Sequence, residues 1–208
     1  MDLSYDAQRA VVTLRRSDEQ LAALMRRVGR FALVPRSNMT PFHELLRAII
    51  YQQLSGKAAS AIYKRILKLL GARKPSPRAI LELSTEELRV AGLSRSKIIS
   101  VKDLAHKTIE GMVPGKRRLQ KMEDKEIVAK LVAVRGVGQW TAEMLLIFNL
   151  GRPDVLPVSD LGVRKGFMLA YQTGVMPTEA ELQQYGERWR PYRSVASWYL
   201  WRANDLEY

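Results

Sequence analysis

The amino-acid sequence predicts an all-α protein, and three observations support this prediction. Apolar residues recur every three to four positions along most of the chain, as at Phe42, Leu45 and Ile49, which is the period of one helix face. Signals that start helices are frequent and include two capping boxes, which begin at Ser84 and Thr178. The alternation that is typical of a strand is weak and confined to one short segment near the N-terminus.

The helices can be predicted in chain order from the same signals. Thr40 and Pro41 form a cap and a first-turn proline, so a helix begins there. Gly71 ends the next helix, and Ser76 with Pro77 starts a short one. Later helices are predicted by the apolar sets Ile98, Val101, Leu104 and Ile109; Ile127, Val128 and Leu131; Leu145, Leu146 and Phe148; Val163, Phe167, Met168 and Tyr171; Leu182, Tyr185 and Trp189; and Val195, Ala196, Tyr199 and Leu200.

A basic segment that contains a Pro-Gly pair, residues 111–124, is the best candidate for a linker between two helical lobes. Proline and glycine interrupt helices, and this segment also carries four Lys or Arg residues. We therefore expect an N-terminal segment, residues 1–40, that packs with a C-terminal lobe of residues 116–208. Residues 41–115 are expected to form the other lobe.

The composition indicates a polyanionic partner. Lys and Arg total 34 against 21 Asp and Glu, which gives a formal net charge of +13. Such an excess favours nucleic acid over a basic protein with no specific acidic partner. The absence of cysteine excludes disulfides and Cys-ligated zinc or iron–sulfur centres. Because the chain has only two histidines, His43 and His106, the sequence also disfavours a His-rich metal site.

The N-terminal residues do not resemble a secretion signal, because Asp2 and Asp6 stand where a basic start is expected. No apolar run in the sequence is long enough to span a membrane. We therefore expect an intracellular protein. Its location is expected to be cytoplasmic, with association with the nucleoid in a bacterium, or nuclear in a eukaryote.

Two segments carry candidate chemistry, and the first is a two-glycine turn. Gly136 and Gly138 lie between two apolar helical segments, and glycine permits backbone angles that other residues resist. The amides of such a turn can point at one phosphate, while the carbonyls on its other side can hold a monovalent cation. Many tight turns between packed helices share the Gly-x-Gly pattern, so a purely structural turn is the alternative.

Asp160, at the start of the following helix, is the second candidate. An ionised carboxylate can stabilise positive charge on a sugar and can orient water. If Ser159 is the N-cap, Asp160 lies in the first turn with its carboxylate free and favoured by the helix dipole. If Asp160 is itself the N-cap, backbone amides occupy its oxygens, and its position alone favours this structural interpretation.

Residues 131–142, which include the run Arg-Gly-Val-Gly-Gln-Trp-Thr-Ala, resemble the helix-hairpin-helix of the HhH-GPD superfamily of DNA glycosylases. Residues 157–164 resemble the segment that carries the catalytic aspartate of that superfamily. Over residues 41–201 the chain is similar to its 3-methyladenine DNA glycosylase II (AlkA-like) branch. Three further stretches occur in the family's order, namely residues 47–55, 92–97 and 187–194. The resemblance implies two helical lobes with the active site in the cleft between them.

The resemblance assigns roles to Asp160 and Trp140. Asp160 falls on the family's catalytic acid, which stabilises the oxocarbenium-like sugar as the N-glycosidic bond breaks. Trp140 stands where two-step members of the superfamily carry the lysine that forms a Schiff base, and the neighbouring Gln139 cannot replace that amine. A single hydrolytic step is therefore expected, with Trp140 stacking on a flipped, cationic base. A core tryptophan is the alternative.

The resemblance also outlines a base pocket and a wedge. Trp201 aligns with a second pocket aromatic, and Tyr51 adds a wall. Met144 replaces a tyrosine of the best-known member, which puts the substrate preference in question. Gln52 and Gln53 lie where the family places the wedge that fills the gap left by the flipped nucleotide. Gln53 aligns best as the wedge, and an ordinary solvated pair is the alternative.

Further DNA contacts are expected from the hairpin and from basic residues around it, although each basic residue alone is more often a solvated surface charge. The expected DNA-contacting residues are Gly136, Val137, Gly138, Gln139, Thr141, Arg95, Lys97, Arg135, Arg164 and Arg193. The backbone carbonyls of Val132, Val134 and Val137 are the candidate site for Na⁺ or K⁺. No other cofactor is expected.

Together these expectations describe a monomeric, monofunctional DNA glycosylase of base excision repair. It would flip alkylated purines of the 3-methyladenine and 7-methylguanine type out of damaged duplex DNA, remove them by hydrolysis and leave an abasic site. A non-catalytic helix-hairpin-helix DNA-binding protein is the alternative, since such a protein needs neither Asp160 nor Trp140. A bifunctional lyase is disfavoured because the lysine is missing.

Overall fold

The structure is a computed structural model that describes residues 3, 5–36, 38–71 and 75–207. Over these residues the chain forms thirteen α-helices, one π-helix and one 3₁₀-helix without any strand, so the all-α prediction is confirmed. The helices are α1 (Ala7–Ser17), α2 (Glu19–Val28), α3 (Pro41–Tyr51), α4 (Gly56–Leu69), α5 (Pro77–Glu82), α6 (Thr85–Val90), α7 (Arg95–Ile109), α8 (Lys116–Leu119), α9 (Asp124–Val132), α10 (Gln139–Leu145), the π-helix Leu146–Leu150, α11 (Leu161–Tyr171), α12 (Glu179–Gly186), the 3₁₀-helix Glu187–Trp189 and α13 (Arg193–Ala203).

Local signals account for several helix starts. The Thr40 hydroxyl accepts a hydrogen bond of 3.2 Å from the His43 N–H at the start of α3. Both predicted capping boxes are formed, because Ser84 and Thr178 each exchange hydrogen bonds with the glutamate three residues later. No helix among the described residues combines the length and the apolar composition that crossing a bilayer requires.

Residues 11–14, which carry the weak strand-like alternation, lie within α1, in agreement with the all-α prediction. The Asp6 carboxylate caps that helix by accepting hydrogen bonds from the Gln8 and Arg9 N–H groups. Ala10 and Leu14 are fully buried, and their spacing of four places them on one helix face. The cap and this buried face outweigh the preference of the two neighbouring valines for a strand.

The chain divides into two compact units. The terminal unit comprises Met1–Arg36 and Leu146–Tyr208, and the α3–α10 unit comprises Ser37–Leu145. The predicted boundary at residues 115/116 falls inside the α3–α10 unit, because α9 packs on α10 and α10 packs on α3. The predicted linker also holds α8 and the buried residues Val113 and Leu119, so it is part of the core of this unit.

The α3–α10 unit is built around α3 and α7, which pack against each other. Its core is made of aliphatic side chains on α3, α7 and α9, and α9 leads into the two-glycine turn. The fully or almost fully buried residues include Leu45, Leu46, Ile49, Ile50, Ile98, Val101, Leu104, Ile127 and Leu131.

The terminal unit packs α2 and α11 against α13 around an aromatic core. Trp189 is fully buried. Its indole N–H donates a hydrogen bond of 2.9 Å to Oδ2 of Asp18, which also accepts one of 2.7 Å from the Tyr171 hydroxyl. Asp18 caps α2 as well, since its Oδ1 accepts the Leu21 N–H at 3.0 Å. One buried carboxylate thus links the N-terminal helices to the C-terminal ones.

Candidate active site

The two-glycine turn joins α9 to α10. A hydrogen bond of 3.0 Å from the Val137 N–H to the Val134 carbonyl closes it. Gly136 has φ +79°, and a Cβ atom there would lie 2.7 Å from the Ser100 Oγ, so this position requires glycine. Gly138 differs, because its φ is in the ordinary range and no heavy atom lies within 4 Å of a Cβ built there. Only one of the two glycines therefore depends on its backbone freedom.

Side chains of α7 hold the backbone of this turn. Oδ2 of Asp103 accepts the Arg135 N–H at 2.7 Å and the Lys107 ammonium at 2.8 Å. Lys107 also donates to the Ala133 carbonyl at 2.6 Å. Burial raises the pKa of Asp103, but the hydrogen bonds from Lys107 and the Arg135 N–H outweigh burial and leave the pKa below its usual value. The sequence did not point to Asp103 or Lys107, since Asp103 lies 32 positions before Arg135.

The side chains that follow the turn are less accessible for contact with DNA than predicted. Val137 and Thr141 are 4 % and 5 % exposed, so burial disfavours the contact with DNA that was expected of their side chains. Gln139 is exposed, and its side-chain amide donates to Oε1 of Glu143 at 2.9 Å. The predictions did not include Glu143, a buried carboxylate one turn further along α10.

Asp160 is the N-cap of α11, which decides between the two predicted arrangements. Its Oδ1 accepts the Val163 N–H at 2.9 Å, whereas Ser159 lies in the exposed turn before it and does not cap the helix. The interpretation with Ser159 as cap is therefore wrong. The carboxylate lies at a helix N-terminus, where the helix dipole favours negative charge.

Trp201 of α13 contacts Asp160 directly. Its indole N–H donates a hydrogen bond of 2.9 Å to the same Oδ1. Gly162 makes this approach possible, because a Cβ there would lie 3.0 Å from the Trp201 ring and 3.1 Å from Oδ1 of Asp160. The Phe148 ring of the π-helix packs on Trp201 with centroids 5.4 Å apart. Phe148 and Gly162 are functional candidates that the sequence reasoning missed, although a glycine two positions after the acid was visible.

The other predicted pocket residues lie in the α3–α10 unit. Trp140 is the second residue of α10, with 44 % of its surface exposed, and Met144 is half-buried one turn later. Tyr51 ends α3, where the Arg47 guanidinium lies 4.4 Å from its ring centroid. Because Trp140 is exposed, the core-tryptophan interpretation is not favoured. The pocket roles of these three residues stay predictions.

The two candidates for the wedge differ in their contacts and exposure, and the wedge role stays a prediction. The Gln52 side-chain amide donates to the Gly136 carbonyl at 2.8 Å, so this side chain is engaged with the hairpin. Gln53 is exposed and adopts φ +55°, a left-handed conformation that is uncommon outside glycine. Lys97 supports the same turn, because its ammonium donates to the Ile50 and Gln52 carbonyls at 2.7 Å each. Burial lowers the pKa of Lys97.

Two of the predicted phosphate contacts are corrected. The Lys97 ammonium caps the end of α3 instead of facing a phosphate. The Arg193 side chain is 10 % exposed and forms ion pairs with Asp154 at 2.7 Å and Glu187 at 3.3 Å, so it belongs to an internal network. Arg164 is half-buried and donates to the Pro177 carbonyl at 2.9 Å.

Arg95 and Arg135 keep the exposure that a phosphate contact needs. Arg95 is the first residue of α7, and Arg135 lies within the two-glycine turn. Both are exposed. Their contact with DNA stays a prediction.

The helical fold and the braced two-glycine turn define a helix-hairpin-helix protein. The chain belongs to the HhH-GPD superfamily of base excision DNA repair proteins, whose family model matches residues 46–191. This match includes the hairpin and Asp160.

The similarity to named relatives extends over nearly the whole chain. The chain is 36% identical to DNA-3-methyladenine glycosylase 1 of Schizosaccharomyces pombe over 95% of its own length and 88% of the relative's. A solved structure of the S. pombe 3-methyladenine DNA glycosylase with abasic DNA has a TM-score of 0.84 at 34% identity, covering 95% of this chain and 97% of that one. A DNA-3-methyladenine glycosidase from Bacillus halodurans has a TM-score of 0.87 at 36% identity, with coverage of 97% and 91%.

Proposed function

We propose that this protein is a monofunctional DNA glycosylase that hydrolyses the bond between an alkylated purine and deoxyribose in duplex DNA. The observation that carries the proposal is Asp160, which is fixed at the N-terminus of α11 by Val163 and Trp201 within a fold of the base excision repair superfamily. The names of the relatives support 3-methyladenine as a substrate.

The proposed reaction begins as the C1′–N bond breaks and its electron pair leaves with the base. Positive charge then develops on the sugar, and the Asp160 carboxylate stabilises that charge. Its orientation is set beforehand by two N–H donors on Oδ1, so little reorganisation accompanies the reaction. Water adds to C1′ and loses a proton, for which the carboxylate is a suitable acceptor.

The residues at the start of α10 favour a reaction with a single hydrolytic step. A Schiff base requires an amine, and neither Gln139 nor Trp140 supplies one. The exposed Trp140 indole is instead a stacking surface for the flipped base. A purine alkylated on a ring nitrogen carries positive charge, which an indole face attracts.

The grip on DNA is proposed to come from the hairpin and from the turn after α3. Backbone amides of the hairpin contact a phosphate, and Gln53 enters the gap left by the flipped nucleotide. The hairpin carbonyls of Val132, Val134 and Val137 suit Na⁺ or K⁺, because carbonyl oxygens are hard ligands. The Val134 carbonyl accepts one N–H and has a second lone pair for an ion. Such an ion would stiffen the hairpin.

The protein is further proposed to act as a monomer on damaged duplex DNA, in the nucleoid or the nucleus. The experiment for the overall proposal measures base release by the purified protein from duplexes that contain methylated, deaminated or oxidised bases. Release of methylated purines, with no covalent adduct trapped by borohydride, is the expected result. Duplex binding with no release from any lesion would favour the non-catalytic DNA-binding alternative, and a trapped adduct would contradict the single step.

A further inference from the structure

Three side chains on one face of α7 contact the two-glycine turn. Ser100, Asp103 and Lys107 are spaced three and four residues apart, which aligns them along that face. Ser100 is 4 % exposed, and its Oγ fills the space beside Gly136. The other two form hydrogen bonds to the backbone of the turn, and no role follows for them from the proposed reaction.

The contacts fix consecutive peptide groups of the turn. The Ala133 carbonyl accepts from Lys107 at 2.6 Å, and the Arg135 N–H donates to Asp103 at 2.7 Å. Asp103 and Lys107 are themselves joined at 2.8 Å, with side chains that are 27 % and 23 % exposed. The ammonium thus bridges the carboxylate and the carbonyl. The orientation of the peptides before Gly136 is therefore set by α7.

A fixed orientation matters because the hairpin acts through its backbone. Amides that already point at a phosphate bind it without first losing conformational freedom, and this preorganisation raises affinity. We propose that Asp103, together with Lys107, is a positioning residue that pre-forms the phosphate-binding hairpin. The proposal rests on the proposed function only for its ligand, duplex DNA.

The charge of Asp103 gives the proposal a sharp test. The protein has a formal net charge of +13, and an acid close to a phosphate site repels DNA. By electrostatics alone, removal of an acid should tighten DNA binding. If Asp103 positions the hairpin, its removal should weaken binding although the net charge increases. Electrostatics alone and the positioning role therefore predict changes in DNA affinity of opposite sign.

The matched control is Glu126 of α9. Glu126 pairs with Lys130 at 4.0 Å with the same i,i+4 spacing as Asp103 and Lys107, and its side chain is 55 % exposed. Asp103→Ala and Glu126→Ala therefore remove the same charge from the same kind of pair. We expect the Kd for an undamaged duplex to rise about tenfold in Asp103→Ala, as loss of a hydrogen bond to a charged group implies, and to stay equal or fall in Glu126→Ala. Equal or tighter binding by both variants would overturn the proposal.

Two milder variants keep the test informative if Asp103→Ala folds poorly. Asp103→Asn retains a carbonyl oxygen for the Arg135 N–H, so its Kd should lie between those of the wild type and Asp103→Ala. Lys107→Met should weaken binding more than Lys130→Met, since only Lys107 reaches the Ala133 carbonyl. Equal losses in the two lysine variants would contradict the proposal.

Hydrogen exchange separates positioning from general stability. The amides of residues 133–138 should exchange faster in Asp103→Ala, while amides elsewhere in the α3–α10 unit keep their protection. Uniformly faster exchange would mean a stability effect and would overturn the positioning role. If the wild type binds DNA but releases no base, the proposed function fails while these binding tests still decide the role of Asp103.

Discussion

The indole N–H of Trp201 donates a hydrogen bond of 2.9 Å to Oδ1 of Asp160. This bond connects α13 to the N-cap residue of α11, and the Val163 N–H supplies a second donor to the same oxygen. Trp201 was expected to line the base pocket, but its polar atom holds the proposed catalytic carboxylate. A residue that orients the acid affects the rate of base release separately from DNA affinity.

Trp201→Phe is expected to lower the rate of base release about tenfold, because the carboxylate loses an orienting donor while the position keeps an aromatic ring. Single-turnover release from a methylated duplex measures the effect. Trp198→Phe is the control, since Trp198 lies on the same helix and contacts Phe31 and Tyr199 instead. Equal losses in both variants would mean that the hydrogen bond to Asp160 has no special role.

Gly136→Ala is expected to destabilise the protein by about 1–3 kcal/mol, because a non-glycine residue in the left-handed region is strained and its Cβ would lie 2.7 Å from the Ser100 Oγ. Gly138→Ala should change stability by less than about 0.5 kcal/mol, since it meets neither obstacle. Urea unfolding of both variants provides the measurement. Similar losses at the two positions would contradict this view of the turn.

Asp18→Ala is expected to cost about 2–3 kcal/mol of stability, since it removes a helix cap and leaves the Trp189 and Tyr171 donors unpaired in a buried site. Asp6→Ala is the matched control. Asp6 caps α1 through backbone amides at an exposed position, and its loss should cost about 1 kcal/mol. Thermal unfolding compares the two. A smaller loss for Asp18→Ala than for Asp6→Ala would contradict the linking role of Asp18.

The lowered pKa of His43 predicts that the stability of the protein depends on pH. Burial lowers the pKa of His43 below its ordinary value of 6.5, with Glu44 raising it and Arg47 lowering it further. The neutral imidazole hydrogen-bonds to the Tyr63 hydroxyl. The imidazole of His43 is protonated more readily in the unfolded chain than in the folded protein. Its contribution to the free energy of unfolding is therefore complete above pH 6.5 and is lost as the pH falls towards the folded-state pKa.

The expected result is that His43→Gln flattens the decline in stability below pH 6.5. Urea midpoints measured across that range provide the test. His106→Gln, at an exposed position of α7, should leave the slope unchanged. A slope that persists in His43→Gln would assign the decline to other groups.

Local sequence signals predicted much of the fold and part of the site. Thr40, Ser84 and Thr178 cap their helices as expected, because a capping interaction depends on residues within one turn. Gly136 was predicted to need its backbone freedom for the same local reason, and the structure agrees.

Contacts between distant residues could not be predicted. Arg193 forms a hydrogen bond with Asp154, which lies 39 positions earlier in the chain. Lys97 donates hydrogen bonds to carbonyls that lie 45 and 47 positions earlier. A basic side chain looks the same in the sequence whether it faces a phosphate or a buried carboxylate. Asp160 is the N-cap of α11, as its position alone favoured. The arrangement with Ser159 as the cap stayed open in the sequence because both residue types are good N-caps.

Single-turnover base release by Asp160→Asn tests the central claim most directly. Asparagine caps helices as well as aspartate does and can still accept from Val163 and Trp201, so fold and duplex binding should be retained while the charge is lost. We expect release of methylated purines to fall by at least about 10²-fold, as loss of transition-state charge stabilisation implies, and to be unchanged in Asp205→Asn, an exposed acid that follows α13. Release by Asp160→Asn at the wild-type rate would contradict the account and leave Asp160 as a helix cap alone.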